Sequence, residues 1–190
     1  MTLTLTPFNH TSVKDRLAVR RLYLQSWPTT EQVPFSILRI KAQSSIVHFY
    51  TLYDGNQFVG FVYLIFHDDT IYIFYLAIQP ASQTKGYGGQ LLEQLKATYP
   101  QKRLSVTIEY LSARAENYTQ RVQRRRFFEN HGFQMAPFWI EEQGLPYQVM
   151  TWNGDMDSKE LEKVVRHYSG ILFRFFVNLE VHSLGIPDNY

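Results

Sequence analysis

A chain of 190 residues, 45% apolar and carrying 14 Phe and 13 Tyr, can build a core of ordinary size without disulfides or metal. It has no cysteine, which excludes a thiolate nucleophile and any Cys-ligated zinc or iron–sulfur centre. With 19 Lys and Arg against 17 Asp and Glu, its charge is nearly balanced, which argues against general nucleic-acid binding.

Residues 2–6 alternate Thr and Leu, a short strand pattern. Thr11 or Ser12 is placed to cap a helix in which Val13, Leu17 and Leu24 alternate with Arg20 and Arg21 as apolar and basic faces, and Pro28 ends it. A shorter helix is expected over 35–42. The period then changes to that of strands, 46–53 and 58–66, joined by the tight turn Asp54-Gly55-Asn56. After a turn at His67-Asp68-Asp69, the unbroken apolar run 71–78 predicts a central strand buried on both faces. A glycine-bearing loop opens a helix with Leu91, Leu92 and Leu95 on one face, followed by a strand over 103–110 and a helix over 117–130. Gly132 stands where a left-handed helix cap is expected. Strands over 133–140 and 147–152 follow, with a turn around Gly144-Leu145-Pro146. Leu161, Val164, Val165, Tyr168, Leu172, Phe175, Phe176 and Leu179 recur at helical spacing and predict a last amphipathic helix. The order of elements reads as a mixed sheet with helices on its faces.

Residues 1–10 lack a basic start followed by an apolar run, and the apolar stretch 171–179 is broken by Arg174 and too short for a bilayer. No membrane association and a cytoplasmic location are expected. Arg121, Arg124, Arg125 and Arg126 form the only local basic cluster, which reads either as a solvated helix face or as a site for phosphates.

The segment from Ile78 through Gln83-Thr84-Lys85-Gly86-Tyr87-Gly88-Gly89 is the most informative. First-turn amides of a helix have no intrahelical partners, and with the positive end of the helix dipole they attract an anion. Glycines let a pyrophosphate approach that backbone. The residues alone therefore point to a phosphate-bearing ligand. A triphosphate loop fails, because Gln90 and Leu91 follow Gly89 where Lys and Ser or Thr are required. A dinucleotide loop stays open: Leu91 fills its third small position, yet Glu109 stands where a ribose-binding acid belongs. The antiparallel-looking strands before the loop do not suit that fold.

Gln83-x-x-Gly86-x-Gly88 resembles the Q/R-x-x-G-x-G/A signature of the GNAT N-acetyltransferase superfamily. Leu76-Ala77-Ile78 before Pro80 is similar to that family's apolar strand end. Phe127-Phe128-Glu129-Asn130-His131-Gly132-Phe133 is similar to its second signature, LYEKxGF, with Asn117 earlier on the same helix. The resemblance covers roughly residues 2–153. It implies an α+β (mixed α/β) GNAT acyl-CoA N-acyltransferase fold. Its mixed central sheet would have about six to seven strands, split between two central parallel strands, 71–78 and 103–110, with a C-terminal amphipathic helix added. Residues 1–153 would form the acetyltransferase domain and 154–190 a helical extension, packed on that domain or at a homodimer interface.

The resemblance further implies acetyl-CoA as cosubstrate and no metal. Leu76, Ala77 and Ile78 would pair with the pantetheine arm like an added strand. Gln83, Thr84, Lys85, Gly86, Tyr87, Gly88 and Gly89 would surround the pyrophosphate. Asn117, Arg124 and Phe128 would line the rest of the cofactor, and Arg121, Arg124 or Lys85 would neutralise its phosphates. Phe128 replaces the tyrosine that many members use to protonate the departing thiolate. Direct transfer to an amine needs a base, for which Glu109 is the candidate. Tyr75 would act as acid or orient substrate, while His48 and His131 are weaker candidates. Trp27, Tyr50, Phe138, Trp139, Glu141, Glu142 and Tyr147 would form an aromatic, acid-rimmed pocket for a small-molecule or peptide amine. The competing expectation is a non-catalytic acyl-CoA-binding regulatory protein, supported by the missing tyrosine and the added helix.

Overall fold

The computed structural model describes residues 2–142, 144–170 and 179–183. It divides into two compact units, Met1–Phe66 with Ile73–Pro100 and His67–Tyr72 with Gln101–Tyr190.

The first unit contains β1 (Leu3–Pro7), α1 (Val13–Ser26), α2 (Phe35–Lys41), β2 (Val47–Asp54), most of β3 (Gln57–His67) and of β4 (Thr70–Ile78), and α3 (Tyr87–Thr98). Its strand order is β1-β2-β3-β4. Antiparallel pairing sets Leu5 opposite Leu52 and Tyr50 opposite Val62, and the β2–β3 turn places Gly55 at φ +56°. Ser12 caps α1, its hydroxyl accepting from the Asp15 amide.

The expected apolar face of α1 is the wrong one. Val13, Leu17 and Leu24 are 65%, 57% and 42% exposed, whereas Val19, Leu22 and Tyr23 are buried. The helix carries two apolar stripes, and the aromatic partners of Tyr23 select between them. Its ring packs on Trp27, Phe35, Phe61 and Tyr75 at centroid distances of 5.6, 5.7, 6.4 and 5.0 Å. Burial also divides β4. Residues 70–73 are buried on both faces, but from Phe74 onward half-buried Phe74, Leu76 and Ile78 alternate with buried Tyr75 and Ala77. Continuous burial belongs instead to β3, from Val59 to Ile65.

The second unit holds β5 (Arg103–Glu109), α4 (Tyr118–Asn130), β6 (Gln134–Glu142), β7 (Leu145–Trp152), α5 (Ser158–Ser169) and β8 (Leu179–Ser183). The order β5-β7-β6-β8 is antiparallel throughout. β6 is irregular: Met135 faces Met150 and Trp139 faces Gln148, so Ala136, Pro137 and Phe138 stand opposite Val149 alone. Gly132 adopts φ +77°, the left-handed cap expected after α4.

α5 opens with a reciprocal capping box between Asp157 and Glu160 and ends at Gly170, φ +61°. Leu161, Val164 and Tyr168 on its inner face are buried. Arg103 ties this helix to the β3–β4 turn, bonding Glu160 at 2.9 Å and Asp69 at 3.4 Å. The apolar spacing predicts a last helix that continues to Leu179. Leu172, Phe175 and Phe176 lie outside the described residues, and Leu179 opens β8, the strand beyond the six or seven anticipated. Among the described residues no helix is long and apolar enough to cross a membrane.

Candidate functional site

The glycine loop lies wholly within the first unit. A short 3-10 turn over Pro80–Ser82 follows β4, and the amides of Ser82 and Gln83 both bond the Gln79 carbonyl, at 2.8 and 3.0 Å. The Gln83 side chain reaches back and donates to the Ile78 carbonyl at 3.1 Å. Thr84 then takes φ +63°, a strained value for a β-branched residue, and Gly86 takes φ +83° as the N-cap of α3. Among the described residues no side chain caps this helix, so its first-turn amides keep their capacity to hold an anion. Lys85 stands exposed beside them.

Two residues of the β2–β3 hairpin, Asp54 and Gly60, support this loop, and sequence reasoning gives neither a place in the site. Tyr87, in the first turn of α3, is buried and donates its hydroxyl to Asp54 Oδ2 at 2.7 Å. That bond holds the Asp54 carboxyl below its usual range and pushes the Tyr87 hydroxyl up. At Gly60, a β-carbon would overlap the carbonyl oxygen of Ala77. In the sequence Asp54 is only a turn residue and Gly60 only a strand glycine. A glycine inside a strand pattern is nonetheless a signal of close backbone approach.

Tyr75 is buried and fully engaged. Its hydroxyl donates to the Glu31 carbonyl at 3.1 Å and accepts from the Val33 amide at 3.4 Å. Trp27 packs edge-on against its ring at 4.8 Å. Tyr23 donates to the Val33 carbonyl at 2.8 Å, and burial pushes its pKa up to about 12. These groups fix the segment between α1 and α2. Tyr50 pairs with His48 Nδ1 at 3.2 Å, and burial lowers the His48 pKa.

In the second unit, Glu109 ends β5 and is ion-paired with Arg124 of α4. The candidate base and a candidate phosphate ligand are thus each other's partners. Arg121 donates to Asn117 Oδ1 at 2.7 Å and to the Tyr110 carbonyl at 2.8 Å, and Arg125 bonds Glu129 at 2.8 Å. Three of the four clustered arginines therefore have partners within the second unit. Phe128 is buried between Phe127 and Phe133, with centroids 5.1 and 5.2 Å away. His131 Nδ1 lies 2.7 Å from the Phe127 carbonyl, a helix-end contact.

Of the expected pocket residues, Phe138, Trp139 and Tyr147 are buried, while Glu141 and Glu142 are half-buried on β6. Trp139 stacks on His182 of β8 at 4.0 Å. Its buried indole N–H has no hydrogen-bond partner among the described residues. No group of three His, Cys, Asp or Glu suited to a metal occurs among them either.

Residues 45–135 match the family model described as an acetyltransferase (GNAT) domain. Among solved structures, a GNAT-family protein of Bacteroides thetaiotaomicron aligns over 91% of this chain and 98% of its own, with TM-score 0.68 and 21% identity. The ribosomal-protein-S18-alanine N-acetyltransferase of Escherichia coli aligns over 83% and 97%, with TM-score 0.60 and 16% identity. An aminoglycoside 6'-N-acetyltransferase complexed with coenzyme A aligns over 83% and 100%, with TM-score 0.59 and 13% identity. No curated protein matches the chain in sequence. At these identities the solved structures establish the shared fold.

Proposed function

Since the chain carries a GNAT acetyltransferase domain over residues 45–135, we propose that it is an N-acetyltransferase moving the acetyl group of acetyl-CoA to a primary amine. The observation that carries the reading is the start of α3. Gly86 holds a left-handed N-cap, no described side chain competes for the first-turn amides, and the Gln83–Ile78 bond fixes the preceding loop. Such a terminus suits a pyrophosphate. Gln83, Thr84, Lys85, Gly86, Tyr87, Gly88 and Gly89 are assigned to it, and Leu76, Ala77 and Ile78 to the pantetheine arm. From the second unit the family resemblance carries over Asn117, Arg124 and Phe128.

The amine nitrogen attacks the thioester carbonyl, a C–N bond forms, the C–S bond breaks, and the amine loses a proton. Glu109 is assigned as the acceptor of that proton, directly or through water. Its pairing with Arg124 keeps the carboxylate oriented. Phe128 has no proton to give, and the Tyr75 hydroxyl already donates to a backbone carbonyl. Tyr75 is therefore assigned an orienting role, and solvent supplies the thiolate's proton.

Aromatic residues with Glu141 and Glu142 suit a cationic amine. Calorimetry with coenzyme A on the wild type and Gly88→Val, joined to an amine panel read by a thiol-reactive dye, tests the reading. Unchanged affinity in folded Gly88→Val places the cofactor elsewhere. The buried Phe128 and the Glu109–Arg124 pair favour the second reading, a non-catalytic acyl-CoA-binding protein, which predicts tight CoA binding without turnover on any amine.

A further inference from the structure

We propose that Gly60 is a positioning residue of the acyl-CoA site: by carrying no side chain it lets the end of β4 settle on β3 and aims the Ile78 amide outward as a donor. This rests on the acyl-CoA reading above. A β-carbon at Gly60 would overlap the Ala77 carbonyl oxygen and come within 3.1 Å of both Cα and Cδ1 of Ile78. Both the oxygen and the Cα are backbone atoms, so the strand itself must move to admit even a methyl group. One residue further on, the Gln79 amide donates to the Val59 carbonyl at 2.8 Å. Residues 77 and 79 are thus both held against β3, at Gly60 and Val59.

Peptide units are planar and, among the described residues, trans, so N–H and C=O of one unit point in opposite directions. With the Ala77 carbonyl lying against β3, the Ile78 N–H points away from it. The Ile78 carbonyl is occupied by Gln83, which leaves the amide as the donor that an added strand needs. Gly60 touches no ligand atom in this scheme; it acts through the Ala77–Ile78 peptide.

Gly60→Ala should raise the Kd for coenzyme A at least tenfold. It should leave unchanged the Kd for adenosine 3′-phosphate 5′-diphosphate, which is coenzyme A without its pantetheine arm. A purely structural role would weaken both ligands together, and that result overturns the proposal, as does unchanged affinity for both. Wild-type protein that binds neither ligand overturns the acyl-CoA reading and this one with it. Should Gly60→Ala not fold, amide NMR of the wild type decides. The Ile78 resonance shifts with coenzyme A and not with the fragment, and a resonance that both ligands move equally, or neither moves, refutes the assignment.

Discussion

Replacing Gly86 by alanine isolates backbone conformation from every other effect. At φ +83° and ψ 5° the residue is left-handed, and nothing lies within 4 Å of the position a β-carbon would take. The cost is therefore conformational alone, roughly 1–2 kcal/mol for an L-residue in that region. It can be expressed in two places. If the Gly86→Ala protein keeps the left-handed cap, the free protein carries the strain, and the thermal midpoint falls by about 2–4 °C per kcal/mol. If the loop instead relaxes, stability is spared and the strain returns on binding, raising the Kd for coenzyme A about 5- to 30-fold. Differential scanning calorimetry and titration calorimetry on the same preparation measure both. The two losses, in free energy, should together come to about 1–2 kcal/mol. A variant with wild-type midpoint and wild-type Kd would refute a left-handed Gly86.

Glu109→Gln should lower turnover about 10²–10⁴-fold and flatten the acidic limb of the pH–rate profile; a loss confined to KM would make Glu109 an ammonium-binding residue. Tyr87→Phe should reduce the acid sensitivity of the fold. The Asp54 pKa is depressed by its Tyr87 bond, so that stabilisation is present above the ordinary value of 3.8 and lost as pH falls through the lower folded value, and thermal midpoints of both proteins across that window read it. Truncation after Asn153 removes Met156, Leu161, Val164 and Tyr168, all buried, together with the strand that covers β6. The shortened chain should be aggregated or strongly destabilised in light scattering and denaturant titration. Leu161→Ala in the full chain should cost about 2–5 kcal/mol.

What could be read from the sequence was whatever depends on a residue's own backbone. Gly132 is expected as a left-handed cap and takes φ +77°, whereas Gly86 reads only as a glycine that lets a phosphate approach, and its φ of +83° comes from the structure. The strands of the β2–β3 hairpin announced themselves through their turn. Relations between distant segments were not visible. Glu109 and Arg124 each suggested a separate task, and their pairing follows only from the packing of α4 beside the end of β5. α1 offered two stripes of similar hydropathy, and the choice was made by aromatic rings on α2, β3 and β4. The apolar spacing runs through Gly170 to Leu179, whereas α5 ends at Gly170, φ +61°, and Leu179 belongs to β8.

The irregularity in β6 has an evolutionary consequence. Its three residues facing one amount to an insertion of two, and two is the period of a strand, so the flanking residues keep their faces. Gain or loss of a residue pair at Ala136, Pro137 and Phe138 is therefore invisible to the rest of the ladder, while a single-residue change would invert everything after it. Chains that differ here by even numbers of residues keep the inward and outward faces on both sides, so this stretch can change length without rearranging the core around Phe138 and Trp139.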